Sequence, residues 1–226
     1  MPWTPSTIRA INSGYYLNHK SSDWLYNFFY SYQRMPVSYK NCNDWKEMPP
    51  IQRIAGYELI QDGYWNHLLR KRAHHVLESK SLYKLYLPLL LSKLDQQGPQ
   101  LLDLLIQEKA VGIKWPIQRM SFLRIDRILA YFSSLNALKL TAKKVLEILP
   151  EHHFDDVPFT LQISDIKTLS YGVDPPGATE KMISWRSEIC KIAADHIRSK
   201  PLTESPKFTL EGILNGFNKK HTYEIH

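Results

Sequence analysis

The sequence predicts an α+β protein: a single compact domain with a central mixed or antiparallel sheet, flanking helices and a helical C-terminal part. Three observations predict it. The chain has 226 residues, 43% of them hydrophobic, which is enough for one substantial core. Its apolar residues fall in short runs, with the stretch Leu87 to Leu94, interrupted by Pro88, the nearest approach to a membrane span. Strand-like runs crowd the middle of the chain, whereas beyond residue 135 apolar positions recur at the 3–4 spacing of amphipathic helices. On this reading residues 1–79 form a mainly helical N-terminal part, 80–164 a sheet-rich core and 165–226 a set of C-terminal helices of one domain, 1–226.

The first twenty residues carry no periodicity and are expected to lie along the surface. From Ser22, the positions Trp24, Leu25, Phe28, Phe29 and Tyr32 predict a helix, capped by Ser21, Ser22 or Asp23. Residues 35–50 are rich in Pro, Asn and Asp and read as a loop. Residues 51–79 pass from a short strand through Asp62-Gly63 to a helix expected from Tyr64. SLYKLYLPLLL (81–91) and KAVGIKWPI (109–117) read as strands, with a short helix over 101–109 between them. SFLRIDRILAYF (121–132) reads as a strand with Phe122, Arg124, Asp126 and Ile128 on one side and Leu123, Ile125, Arg127 and Leu129 on the other; its composition would also suit a helix.

Asn136 can cap a helix whose apolar stripe is Leu138, Ala142, Val145, Leu146 and Leu149, ended by Pro150. Residues 155–164 read as a turn and a strand, completing a β–α–β sequence, and Gly172 to Gly177 as a turn. Met182, Trp185, Ile189, Ile192, Ala193 and His196 predict a further helix. A last one starts at Ser205-Pro206, the pairing of an N-cap with a first-turn proline.

Lys and Arg number 29 against 22 Asp and Glu, a net charge of +7. The balance suits an anionic partner, such as nucleic acid, a phosphorylated substrate or an acidic peptide, and equally suits a merely soluble protein. Cys42 and Cys190 fit neither a disulfide framework nor a zinc cluster, so a reducing, cytosolic setting is expected. The opening MPWTPSTIRAINSG lacks a charged segment followed by an apolar one, so no secretory signal is expected.

No phosphate-binding glycine loop, HExxH or nucleophile elbow is present. His74-His75 and His152-His153 are adjacent pairs, and neighbours on a regular element point to different faces, so neither pair ligates one metal. No metal or cofactor is expected. Lys114, Arg119, Arg124 and Arg127 fall on the two presumed central strands or the turn between them, where charge is costly unless it meets solvent or an anion. They form either a solvated face with ion pairs to Asp126 or a phosphate clamp, for which the planar guanidinium fork is suited. The aromatic set Tyr26, Phe28, Phe29, Tyr30 and Tyr32 is segregated from Lys and Arg. It reads as core and interface rather than a base-stacking surface. A helix-turn-helix within 121–149 would have only Lys139, Lys143 and Lys144 on its recognition helix, so nucleic-acid binding ranks third among the readings.

The order of short motifs resembles the type III effector HopA family, found as secreted effectors and beside biosynthetic genes for modified ribosomal peptides. Leu25-Tyr26-Asn27-Phe28-Phe29-Tyr30 resembles its opening LY-x-x-x-Y element. Val111 to Arg119 resembles its VGxxVxIxxPK strand, with Pro116 in place and Ile117 where Lys is usual. Tyr131-Phe132, the helix from Asn136 and Pro158-Phe159-Thr160-Leu161-Gln162 resemble its central signature of an aromatic strand, a helix and PF-x-x-K. Gly172 to Pro176, Ser184 to Cys190 and Ser205-Pro206-Lys207 resemble its Gly…(D/E)-P turn, SFG-x-x-RC element and SPK-led helix. Gln162 stands where the family has lysine and Ile189 where it has arginine, with Arg186 one turn earlier.

The resemblance implies a phospho-Ser/Thr lyase of the lanthipeptide or thioamitide maturation type, or an effector. Such an enzyme acts without a metal on a phosphorylated precursor peptide supplied by a separate kinase-like protein, in the bacterial cytoplasm or in a host cell. A base must take the Cα proton, an acid must protonate the leaving phosphate, and cations must hold the dianion. Lys84 or Lys114 would be the base and Tyr131 or His153 the acid, with Arg119, Arg124, Arg127 and Arg186 on the phosphate. The alternative is a catalytically degenerate protein that binds a peptide or an enzyme partner on the same scaffold.

Overall fold

A seven-stranded sheet in the order β1-β2-β4-β5-β3-β7-β6, every pairing antiparallel, organises the computed structural model. The structure describes residues 3–32, 56–62, 65–71, 73, 81–117, 124–163, 166–175, 184–199 and 206–221. The strands are β1 (Tyr57–Asp62), β2 (Trp65–Arg70), β3 (Leu82–Leu87), β4 (Gly112–Pro116), β5 (Ile128–Phe132), β6 (Leu161–Ile163) and β7 (Ile166–Asp174). The helices among the described residues are α1 (Pro5–Tyr15), α2 (Ser22–Ser31), α3 (Leu91–Gln107), α4 (Leu135–Ile148), α5 (Trp185–Ser199) and α6 (Pro206–His221). The α+β architecture is the one expected, and the sheet is antiparallel rather than mixed.

Several expectations are corrected. Residues 5–15 form a helix with Pro5 in its first turn and Ala10 and Ile11 fully buried, while Trp3 bridges to Leu161 at the sheet edge. The helix expected from Tyr64 is the strand β2, paired along its whole length with β1. Six residues with apolar side chains only at Trp65, Leu68 and Leu69 carry no period that separates helix from strand, so the partner strand decides. The strand read over 121–132 begins only at Ile128, so the two-sided alternation expected of residues 124–127 is absent, and β5 leads to α4 in place of a helix-turn-helix. Ser134, not Asn136, caps α4, accepting from the Ala137 amide at 3.2 Å. Gly172 lies inside β7 rather than in a turn. The loop expected over 35–50, together with Cys42, His74, His75 and Arg119, lies outside the described residues.

Register sorts the side chains, because directly opposed residues share a face. One row, Leu59, Leu68, Ile113, Ala130, Leu85, Tyr171 and Leu161, crosses all seven strands. Apart from Leu59 on the edge strand it is buried, and α4 packs on its central strands β3 and β5. The opposite face carries the row Ile60, His67, Lys114, Leu129, Tyr86, Ser170 and Gln162. Beside it runs Leu69, Gly112, Tyr131, Lys84 and Gly172. At the β7 end this second face is roofed by helices gathered around Trp185, which is fully buried. A Cβ on Gly172 would collide with the Trp185 ring, so glycine there lets α5 sit directly on the sheet.

Candidate functional site

The polar face of the sheet assembles a cluster of cations, carboxylates and aromatic rings. Lys84, on β3, is almost completely buried and pairs with Asp174 at the end of β7, Nζ to Oδ2 at 2.5 Å. The other carboxylate oxygen, Oδ1, accepts the Trp185 amide at 2.8 Å and so caps the first turn of α5. One carboxylate thereby holds the lysine and the helix that carries Arg186. Burial alone would pull the Lys84 ammonium down, but Asp174, with Tyr131 and Tyr86, overrides it and holds the pKa above the usual lysine value. Lys84 is therefore a fixed cation. Its Nζ lies 5.3 Å from the Tyr131 ring centroid. Burial pushes the Tyr131 hydroxyl up to about 12 against the pull of Lys84, so it keeps its proton.

A second group stands where the chain enters β5. Arg124 forks onto Asp126, with Nε to Oδ1 at 3.0 Å and Nη2 to Oδ2 at 3.2 Å. Arg186 approaches the same Oδ2 with Nη1 at 3.5 Å. Arg186 is further fixed by donating to the carbonyls of Pro158 at 3.1 Å and Tyr30 at 2.7 Å. The Pro158 carbonyl is presented by a tight turn in which Phe159 takes a φ of 61°, a left-handed conformation unusual for a non-glycine residue. That turn is pinned by the Phe159 amide donating to Thr7 and by the Trp185 indole donating to the Phe159 carbonyl. Burial opposes charge on Asp126, but Arg186 and Arg124 hold its carboxyl well below the usual carboxylate range.

Aromatic rings face the guanidinia of this second group and the neighbouring Lys114. The Arg124 guanidinium lies 5.7 Å from the Tyr30 ring and 5.1 Å from the Trp65 ring, and Arg186 lies 4.9 Å from Tyr30. Lys114 on β4 lies 4.5 Å from the other contact ring, Trp65. Lys84 and Lys114 flank β5 on one face, their Cα atoms about 12 Å apart by ideal sheet spacings, with Leu129 and Tyr131 as the floor between. Tyr30, Tyr32, Arg124, Ile125, Asp126 and Arg186 line a concavity at this face.

Of the residues singled out in the sequence, Lys84, Lys114, Tyr131, Arg124 and Arg186 thus come together. Arg127 and His153 do not join them. Arg127 is fully buried, its Nη1 donating to the carbonyls of Pro88 and Leu89 and pairing with Asp155 at 2.9 Å. It closes the chain after β3 rather than facing the cluster. His153 ends a short 3-10 turn (Glu151–His153), stacked edge-on against His152, with its carbonyl accepting the Leu90 amide. Ile189 is fully buried in α5, and Arg186, one turn earlier, faces the cluster instead. Asp174, Tyr30, Trp65 and Tyr86 were missed. Only register and helix packing bring them in, although Asp174, twelve residues before Arg186, carried the one available signal, a carboxylate ahead of a helix.

Among the described residues no group of three or more His, Cys, Asp or Glu side chains converges as a metal site, and no helix is long and apolar enough to cross a membrane.

The fold is similar to that of solved bacterial effector proteins. It matches the structure of an effector protein from Pseudomonas syringae pv. tomato strain DC3000 with a TM-score of 0.50 at 15% identity, over 67% of this chain and 58% of that one. The chain therefore spans rather more than half of that effector's length. An effector from Pseudomonas syringae pv. syringae strain 61 aligns at a TM-score of 0.47, 13% identity and 71% and 60% of the two chains. The phosphothreonine lyase SpvC, an effector from Salmonella, aligns at 0.42, 16% identity and 71% and 89%. No protein-family model and no curated protein sequence matches. The likeness to HopA-like effectors is one of fold.

Proposed function

We propose that the protein is a phospho-Ser/Thr lyase that eliminates phosphate from a phosphorylated peptide or protein. The observation that carries this reading is the convergence on one sheet face of Lys84, Lys114, Arg124 and Arg186, drawn from β3, β4, the entry to β5 and α5, around the protonated hydroxyl of Tyr131. A phosphomonoester carries close to two negative charges at neutral pH. Lys84, Arg124 and Arg186 bind it. Lys114, at the more open side of β5, takes the Cα proton as the base. The electron pair of the broken Cα–H bond forms the Cα=Cβ double bond, the Cβ–O bond breaks, and phosphate leaves with its bridging oxygen. Tyr131 supplies the proton to that oxygen, and the cycle closes when the Lys114 ammonium releases its proton to solvent and the Tyr131 phenolate takes one back from solvent. A separate kinase-like protein supplies the phosphorylated substrate, in peptide maturation of the lanthipeptide type or in a host cell.

The Lys84–Asp174 pair favours a second reading, phosphopeptide binding without turnover, because it keeps one candidate base charged. Incubation with a phosphothreonine peptide followed by mass analysis separates the two. The lyase reading expects loss of phosphoric acid, abolished in Lys114→Met. Binding with the phosphopeptide left intact contradicts it and supports the second reading.

A further inference from the structure

Among the described residues lining the concavity beside Tyr30, Asp126 is the one carboxylate. Three guanidinium nitrogens from two arginines meet its two oxygens: Arg124 Nε at 3.0 Å and Nη2 at 3.2 Å, and Arg186 Nη1 at 3.5 Å. This planar, two-pronged arrangement is the one a carboxylate shares with a phosphate. The two arginines do not need Asp126 to keep their places. Arg186 is anchored by the carbonyls of Pro158 and Tyr30, and Arg124 by the Tyr30 hydroxyl at 3.1 Å and by the Tyr30 and Trp65 rings. Asp126 contributes an anion to a pair of guanidinia already held by other groups.

We propose that Asp126 is an internal anion that holds the Arg124 and Arg186 guanidinia between turnovers, yields them to the substrate phosphate, and retakes them as product phosphate leaves. The proposal rests on the phosphate-binding part of the reading above and adds a regulator of occupancy to the same site. An internal competitor weakens binding of every phosphate species, product included. Its removal therefore tightens binding, whereas removal of a group that merely aimed the arginines would loosen it. The sign of the change distinguishes the two roles.

The test is the affinity of the wild type and of Asp126→Asn for inorganic phosphate, with a peptide bearing α-methylphosphoserine as a second probe. That peptide has no Cα proton to lose, so it cannot be turned over. The asparagine variant should bind both probes about tenfold more tightly, the scale of a close charge contact made or lost, and with a normal substrate should show KM and kcat falling together as release slows. Unchanged or weaker binding, or no binding of phosphate to either protein, overturns the proposal. A measurement on the wild type stands independently of how the variant folds: the Arg124 Nε–H resonance should shift on saturation with phosphate, and its failure to move also overturns the proposal. A wild type that binds phosphate in this way but eliminates nothing sinks the lyase reading alone. Elimination by the wild type with unchanged affinity in Asp126→Asn sinks the role of Asp126 alone.

Discussion

Lys84 and Asp174 show how one contact can carry both stability and site geometry. Both side chains are nearly excluded from water, so removal of either partner leaves a buried charge uncompensated. Asp174→Ala should cost about 3–5 kcal/mol, and it also removes the cap on α5. Chemical denaturation would measure the loss, and a loss below about 1 kcal/mol, typical of an exposed pair, would contradict the burial. The titrating groups act at opposite ends of the pH scale. The Asp126 carboxyl is depressed by Arg186 and Arg124 against the effect of burial, so its contribution is present above the ordinary carboxylate pKa and lost as pH falls below it. Tyr131 is raised to about 12 by burial, so its contribution is complete below pH about 10 and lost as pH rises through 12. Tyr131→Phe should accordingly flatten the fall in stability over that alkaline interval, followed by denaturation at successive pH values. An unchanged slope would place the tyrosine in water.

At the scale of elements, α5 is the part on which the site depends. Its first residue covers Gly172, its second reaches Asp126, and its cap holds Lys84. Gly172→Ala brings a methyl group against the Trp185 ring and should cost about 1–3 kcal/mol, as overpacking does, while displacing Arg186 and weakening phosphate binding. Ser134→Ala, at the cap of α4 on the far side of the sheet, should cost about 1 kcal/mol and leave phosphate binding unchanged. Thermal unfolding and phosphate titration of the two variants, side by side, check this separation; loss of binding in Ser134→Ala would contradict it. Helices α4 and α5 were readable in the sequence from periodic apolar stripes, α4 with Pro150 to end it, and α6 from the Ser205-Pro206 pairing at its start. Strand β2 was not, since Trp65 to Arg70 become a strand only through pairing with β1 and β4. The turn expected at Gly172 misread a glycine whose need is close packing under an indole, not a bend.

For the whole molecule, the antiparallel sheet separates two kinds of business: α4 packs on an apolar row, and the cations lie on the other face. The run of basic residues over 114–127 includes two that reach this face, Lys114 and Arg124. Within that run the sequence set Arg124 and Arg127 on opposite sides of a strand yet assigned both to phosphate; Arg124 enters the cluster, whereas Arg127 is spent on the Pro88 and Leu89 carbonyls. Both precede β5, which starts at Ile128, so their places are set by these partners and not by strand alternation. Tyr30 and Trp65, read as core or not at all, turn out to be the rings that hold the guanidinia. The proposed elimination at this face breaks a carbon–oxygen bond rather than a phosphorus–oxygen bond. Reaction with a phosphothreonine peptide in water labelled with heavy oxygen tests it directly. Elimination predicts released phosphate free of label and a dehydroamino acid in the peptide, whereas one labelled oxygen in the phosphate, with threonine restored, would contradict the account.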